Sequence, residues 1–367
     1  MTHDASRTVD RRQLADASST LAGVDELLAG LCDGLAAEWG RRSPEPVDVL
    51  RADLPLMLRA RLVPGAGKRL RPVMCHWGWV AASGAVDGRG HDALLRTGAA
   101  LELLHLFALV HDDVVDRSDS RRGRPAAHVE AGAAHAAAGA LGDPAVFGDG
   151  IAVLLGDLAL SEASALIADT PPPVRQLWRA MLRELVHGQL LDLTAAAARR
   201  RDLDLARRIA RLKSGAYSIQ RPLLLGAALA APDPAVTAAL AGYGEHLGEA
   251  FALRDDLLGI WGDPAVTGKP VGDDLLSGKA TVVLAAARRL LPPAQSERYL
   301  GSRAVITEAD VPRLQRLLDG CGVRDDVERR ITDEAASALG ALDGVGLDPD
   351  GVAGLTRMVH VIAWRDA

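Results

Sequence analysis

Residues 94–116 read LLRTGAALELLHLFALVHDDVVD. Leu and Ala recur there at mixed spacings of three and four, the mark of a helix with a buried face rather than of a strand. The run ends on three acids, Asp112, Asp113 and Asp116. On a helix Asp112 and Asp116 share one face, with Asp113 close by. Like charges at that spacing repel, and the flanking Leu106–Val110 and Val114-Val115 withhold the water that would relieve them. A cation must compensate, and an all-oxygen donor set suits Mg²⁺. The chain carries its own contrast in Asp325-Asp326-Val327-Glu328-Arg329-Arg330, where acids are interleaved with Arg and read as solvated surface.

The helical pattern extends outward from this run. Leu21–Leu35, Val174–Leu193, Leu203–Leu229, Val236–Leu258 and Val311–Leu318 repeat it, and no series of alternating β-branched segments occurs. The Ala-rich stretch Ala131–Ala140 suits one more tightly packed helix. Breaks fall at Gly and Pro clusters: Val63–Gly67, Ser118–Pro125, Gly142-Asp143-Pro144, Pro171–Pro173, Pro232-Asp233-Pro234 and Gly262–Gly272. They read as connections between helices, so the expected fold is all-α, a single large domain over residues 19–367 behind a flexible segment, residues 1–18.

With 367 residues, 49% hydrophobic and 25% charged, the chain has ample material for a core, and wholesale disorder is excluded. A net charge of −6 argues against a general nucleic-acid binder. The longest uncharged stretch, Pro72–Val86, is too short for a membrane span, and Met1–Arg12 lacks the apolar core of a secretory signal, so the expected location is cytoplasmic. Cys32, Cys75 and Cys321 form neither a disulfide framework nor a zinc pattern.

A second acidic segment, Phe251-Ala-Leu-Arg-Asp255-Asp256-Leu-Leu-Gly259, also ends an apolar helical run, with Asp263 following it. Two acid-rich helix ends suggest facing walls of one cavity. Mg²⁺ prefers substrate phosphates to a full protein cage, so the pair predicts a phosphorylated ligand. The cations fit that ligand. Only four of the 42 basic residues are lysines. Three of them, Lys68, Lys269 and Lys279, sit in short Gly-containing loops, and the fourth, Lys213, lies on an apolar helix. Gly67-Lys68-Arg69-Leu70-Arg71-Pro72 is an anion cradle but not a Walker loop, because Leu62 stands where the first Gly belongs. Arg121-Arg122-Gly123-Arg124 follows the first acids closely. For Arg124 and Arg254 an ordinary structural role is equally open. His105 and His111 are six apart and do not share a face. His105 could donate to a phosphate oxygen or serve as a core histidine.

Five ordered motifs between Gly67 and Thr281 make the chain resemble trans-isoprenyl diphosphate synthases of the polyprenyl synthetase family, in the actinobacterial geranylgeranyl diphosphate synthase-like branch. They are GKRLRP from Gly67, HDDVVDRSDSRRGRP from His111, LLGDLAL from Leu154, Lys213-Ser214, and LRDDLLGIWGD through GKPVGDDLLSGKAT from Leu253. The resemblance implies an isoprenoid synthase fold around a deep central cavity, usually as a homodimer. It implies that Asp112 and Asp116 bind two Mg²⁺ ions supported by Asp113, and that Asp255, with Asp256 nearby, binds a third. Arg121, Lys213, Lys269 and Lys279 match positions holding an allylic diphosphate. Lys68, Arg71, His105 and Arg122 match the site for isopentenyl diphosphate. The implied reaction ionises the allylic C–O bond, adds the alkene of isopentenyl diphosphate to the carbocation, and loses a proton to the released diphosphate.

Three positions depart from the family pattern: Gly259 for an aspartate, Ala252 for a glutamine and Ser214 for a threonine. Phe107 and Ala108, five and four residues before Asp112, fall where the family sets product length, and a large residue there implies a twenty-carbon product, with fifteen carbons second. Ala252 keeps a terpene cyclase or altered coupling enzyme open as an alternative. A non-catalytic partner subunit is a further one.

Overall fold

A computed structural model of the chain describes residues 16–42, 53–62, 68–83, 88–121, 123–263, 272–301 and 304–364. The expected flexible segment lies outside these residues except for its last three positions. The all-α expectation is met.

The helices are α1 (Ser18–Arg42), α2 (Leu54–Leu62), α3 (Leu70–Ala81), α4 (Gly88–Asp116), α5 (Ala127–Ala137), α6 (Pro144–Ala168), α7 (Pro172–Ala197) and α8 (Leu203–Ile209). After α8 the chain runs as a π-helix over Ala210–Gln220 and then as α9 (Arg221–Leu229) and α10 (Pro234–Trp261). The remainder is α11 (Asp273–Ser277), α12 (Val282–Leu290), α13 (Pro293–Leu300), α14 (Val311–Gly320), α15 (Val323–Gly340) and α16 (Pro349–Ala363). Strand pairing among the described residues is confined to Ser120–Arg121 against Arg124–Pro125, a small antiparallel turn just after the first acids.

Local chemistry sets several boundaries. Asp143 and Asp233 accept hydrogen bonds from Ala145 N and Ala235 N at 2.8 and 2.7 Å, each with Pro as the first helical residue. An acidic cap satisfies free N–H groups while Pro, which has none, is already set for helical φ, so Asp-Pro starts α6 and α10.

Helix α4 runs through the core, with Leu94, Leu101, Leu103 and Leu104 fully buried, and packs on α1, α3 and α6. α3 crosses α9 at backbone contact. A Cβ on Gly226 would stand 1.8 Å from Cys75 O, and one on Gly78 2.0 Å from Leu223 O, so no side chain fits at either place. The π-helix is gripped the same way on two sides. A Cβ on Gly188 of α7 would meet Lys213 N at 2.6 Å, and one on Gly215 would meet Gly248 O of α10 at 2.5 Å. π-Helical turns are rare and recur at functional sites; here one carries Lys213.

Two helices, Gly90–Asp116 and α6, are long and apolar enough to cross a bilayer by length and composition alone, and both carry acids. The first is largely buried core. The second packs on α4 and α5 while exposing Val146, Val153 and Leu154.

Candidate active site

α4, α7, the π-helix, α10 and the residues around Lys279 enclose a cavity of about 600 Å³. Its walls include Lys68, Arg71, His105, Asp112, Arg121, Lys213, Asp255, Asp256 and Lys279, which were widely separated in the sequence. Arg122 and Lys269 lie outside the described residues.

The first acids are held by cations. Lys213 Nζ stands 2.9 Å from Asp112 Oδ1 and 2.5 Å from Asp192 Oδ2. Lys279 Nζ stands 2.8 Å from Asp116 Oδ2. Gln189 Nε2 donates to Asp112 Oδ1 at 3.0 Å. Arg121 pairs through both Nε and Nη2 with Asp113 and reaches to 3.9 Å from Asp112 Oδ2. Burial alone would raise the Asp112 carboxyl, but Lys213, Lys279 and Arg121 outweigh it and bring the group down to about 2. Burial likewise works against the charge on Lys213 and Lys279, yet the surrounding carboxylates win and both are held firmly protonated. The sequence expectation that something cationic compensates the acidic cluster is therefore met by lysine and arginine within the chain itself.

On the α10 wall Asp255 is exposed to the cavity, and Asp256 accepts a hydrogen bond from Val282 N at 2.8 Å. Burial, with Asp274 next, pushes the Asp256 carboxyl well up. Gly259 also borders the cavity, and the Asp274 carboxylate fills its side-chain space: a Cβ there would lie 2.0 Å from Asp274 Oδ2. Asp263 is exposed beyond the end of α10 and is not in the cavity wall.

A second set of basic groups in the wall has partners other than the first acids. Arg71 Nη2 donates to Ser218 Oγ at 2.7 Å, and its guanidinium lies over the Tyr217 ring, 4.3 Å from the centroid. Tyr217 Oη is 3.4 Å from His105 Nδ1, and Lys68 is exposed at the rim. His105 therefore faces the cavity rather than the closed core.

Other expectations resolve differently. Arg254 is structural: it donates to Ala363 O at 2.8 Å and pairs twice with Glu328 at 2.7 Å. Arg124 donates to Ala60 O. Ala108 lines the cavity, but Phe107 does not; its ring packs at a tilt against His111 with centroids 4.6 Å apart. His111 Nε2 in turn meets Val153 O of α6 at 3.1 Å, so Phe107 lies on the α6 side of α4. Ala252 is buried in the core and outside the wall.

Sequence reasoning missed Gln189, Asp192, Tyr217, Ser218 and Glu102, all in the cavity wall. Gln189 and Asp192 are three apart and share a face of α7, but the helix also carries Arg175, Arg179, Arg183, Glu184 and His187, so nothing in the sequence singles the pair out.

Carboxylate oxygens one helical turn apart are the hard donors Mg²⁺ takes. Among the described residues no three acidic, His or Cys groups gather closely enough to hold an ion by themselves. That suits an ion which completes its shell from water and substrate phosphate, and the residues present fit Mg²⁺ on those terms.

The family model for polyprenyl synthetase matches residues 57–316. A geranylgeranyl diphosphate synthase of Mycobacterium tuberculosis is 34% identical over 302 residues, covering 80% of each chain. A (2E,6E)-farnesyl diphosphate synthase of Mycobacterium bovis is 32% identical over 313 residues, covering 82% of this chain and 80% of the relative. The crystal structure of a geranylgeranyl pyrophosphate synthase from Corynebacterium glutamicum, complexed with isoprenyl diphosphate and magnesium, superposes with a TM-score of 0.84 at 34% identity, covering 95% of this chain and 99% of that one.

Proposed function

The chain belongs to the polyprenyl synthetase family of prenyl-transferring enzymes, and from that premise we propose that it condenses isopentenyl diphosphate with an allylic diphosphate to give geranylgeranyl diphosphate. The observation that carries this reading is that one cavity holds two sets of basic groups with different partners. Lys213, Lys279 and Arg121 pair with the first acids, while Arg71 and His105 meet Tyr217 instead and Lys68 lies on the same wall. A coupling of two diphosphates needs two such sets, and a cyclase needs one.

In this reading Lys213, Lys279 and Arg121, with Lys269, bind the allylic diphosphate. Asp112 and Asp116 hold two Mg²⁺ ions, with Asp113 fixing Arg121 beside them, and Asp255, backed by Asp256, holds a third. Bound Mg²⁺ neutralises the departing diphosphate. The lysine ammoniums donate to its oxygens as the C–O bond breaks, where a dry, preorganised charge acts most strongly. Leu109, Leu185, Ile209 and Phe251 line the cavity and exclude water from the carbocation. Arg71, Lys68, His105 and Arg122 orient isopentenyl diphosphate so that its alkene attacks, and the released diphosphate takes the proton.

The twenty-carbon product is supported by the likeness to geranylgeranyl diphosphate synthases. A homodimer is supported by the apolar face that α6 and α7 turn outward, with Leu154, Val186, Leu190 and Leu193 each more than half exposed. Phe107 lies on the α6 side of α4, outside the cavity wall, so it limits the product only where a growing chain passes Ala108 toward that face.

The test is to incubate purified protein and Mg²⁺ with isopentenyl and farnesyl diphosphates and to identify the dephosphorylated product by mass spectrometry. A linear twenty-carbon alcohol is expected, and Phe107→Ala should lengthen it. A cyclic hydrocarbon, or no product, overturns the assignment. An unchanged product from Phe107→Ala removes that limit.

A further inference from the structure

Arg69 stands between two residues assigned to the isopentenyl diphosphate patch, Lys68 and Arg71, yet its side chain does something different. Its backbone is left-handed, with φ 46° and ψ 36°, directly before α3. That region disfavours any residue carrying a Cβ, so the conformation must be held from outside. The holding contacts come through the guanidinium. Nη1 donates to Glu102 Oε2 at 2.6 Å, Nη2 donates to Leu62 O at 2.7 Å, and Nη2 also lies 2.7 Å from Asp25 Oδ1. One planar group thus ties α1, the end of α2 and α4 around the turn that carries the cradle. Glu102 precedes His105 by one helical turn on α4, so the same clamp reaches the third residue of the patch.

We propose that Arg69 is a positioning residue for the isopentenyl diphosphate site, clamping the turn so that Lys68 and Arg71 face the cavity together. This rests on the two-diphosphate reading above. Arg69 is not itself the anion's ligand. Nη1 donates to Glu102, Nη2 donates to Leu62 O with the Asp25 carboxylate beside it, and both ends of the guanidinium are thereby turned to other segments, although Arg69 itself borders the cavity. The fork matters because a lysine can place one ammonium but cannot span three acceptors on three segments.

The two contributions of Arg69 separate by mutation. Arg69→Gly relieves the left-handed backbone and deletes the clamp, Arg69→Lys keeps the charge without the fork, and Glu102→Gln weakens the clamp with Arg69 in place. Steady-state kinetics would be measured with each substrate varied in turn, with circular dichroism confirming helix content. The expected result for Arg69→Gly is a KM for isopentenyl diphosphate raised about tenfold or more, as losing charge-assisted contacts implies, with the KM for the allylic diphosphate within about twofold. Arg69→Lys should fall between. Glu102→Gln should raise the same KM. If it lowers that KM, the freed guanidinium is binding substrate directly and the proposal falls. Equal rises in both KM values mean general destabilisation and also overturn it. Calorimetric titration with isopentenyl diphosphate alone, without turnover, reads the clamp even if the wild-type chain transfers no prenyl group. Unchanged affinity in Arg69→Gly refutes it.

Discussion

Asp112→Asn tests the acidic arm of the site at two levels. Asparagine keeps the shape and an oxygen for Gln189 but removes the charge that Lys213 meets at 2.9 Å. Burial raises the Asp112 carboxyl and Lys213, Lys279 and Arg121 lower it further, from an ordinary 3.8 to about 2. That displacement corresponds to roughly 2 kcal/mol of stability at neutral pH. Because the folded value is depressed, the contribution is complete above the ordinary value of 3.8 and is lost as pH falls through about 2. Lys213 keeps Asp192 at 2.5 Å, so the loss stays below the ~3–5 kcal/mol expected when a buried charge loses its sole partner. Catalysis should suffer more: about a thousandfold in rate, or ~4 kcal/mol. Denaturant unfolding at pH 7 and at pH 3, with saturating prenyl-transfer assays, separates the two effects. A variant that loses the stability yet turns over within about threefold of wild type would make Asp112 only a structural counter-ion of Lys213.

Chelation by EDTA should abolish prenyl transfer while leaving helix content and thermal midpoint unchanged, since Lys213 and Lys279 already balance the carboxylates; a large fall in the midpoint would give the ions a folding role. Gly226→Ala should cost at least ~2 kcal/mol in denaturant unfolding, because its Cβ would stand 1.8 Å from Cys75 O and α9 must lift off α3. A neutral result there would mean that the two backbones do not touch. Burial and then Glu334 raise the Glu249 carboxyl against the pull of Arg207 and Arg211. A raised acid loses stability as pH climbs from its ordinary 4.5 through its folded value, so Glu249→Gln should unfold later than wild type, by a margin that widens as pH rises to 7. A constant margin would show that Glu249 ionises normally.

The long helices were legible because each buries a stripe of Leu and Ala at helical spacing. Val236–Leu258 and Val174–Leu193 fall inside α10 and α7 with only a few residues missing at each end. Asp143-Pro144 and Pro232-Asp233-Pro234 were read as breaks, and both prove to be helix starts. α2, α3, α6, α11, α12, α13, α15 and α16 were not singled out as helices. α15 is studded with charge along Arg324–Arg330, and its buried Val327 and Ile331 are too sparse to stand out from the polar residues around them. The π-helix left no sequence mark at all. Leu203–Leu229 reads as one continuous helix, and the π-helical stretch lies where Gly188 on α7 and Gly248 on α10 let the backbones approach closely, a tertiary fact.

The site was legible where its chemistry is locally extravagant. Acid pairs within apolar runs, and lysines in a chain that otherwise uses arginine, both carry a cost that demands a use. Gln189, Tyr217 and Arg69 carry no such cost in sequence; only the fold shows Gln189 on Asp112, Tyr217 between Arg71 and His105, and Arg69 spanning three segments. The pairing of Lys213 with Asp112 and of Lys279 with Asp116 also explains why both kinds of group crowd one cavity. Each ammonium is neutralised by a carboxylate while no diphosphate is bound. An ammonium carries three N–H donors, so each lysine can meet a diphosphate oxygen while keeping its carboxylate. In the proposed reaction a diphosphate would add negative charge beside these pairs, and divalent ions on the carboxylates would balance it.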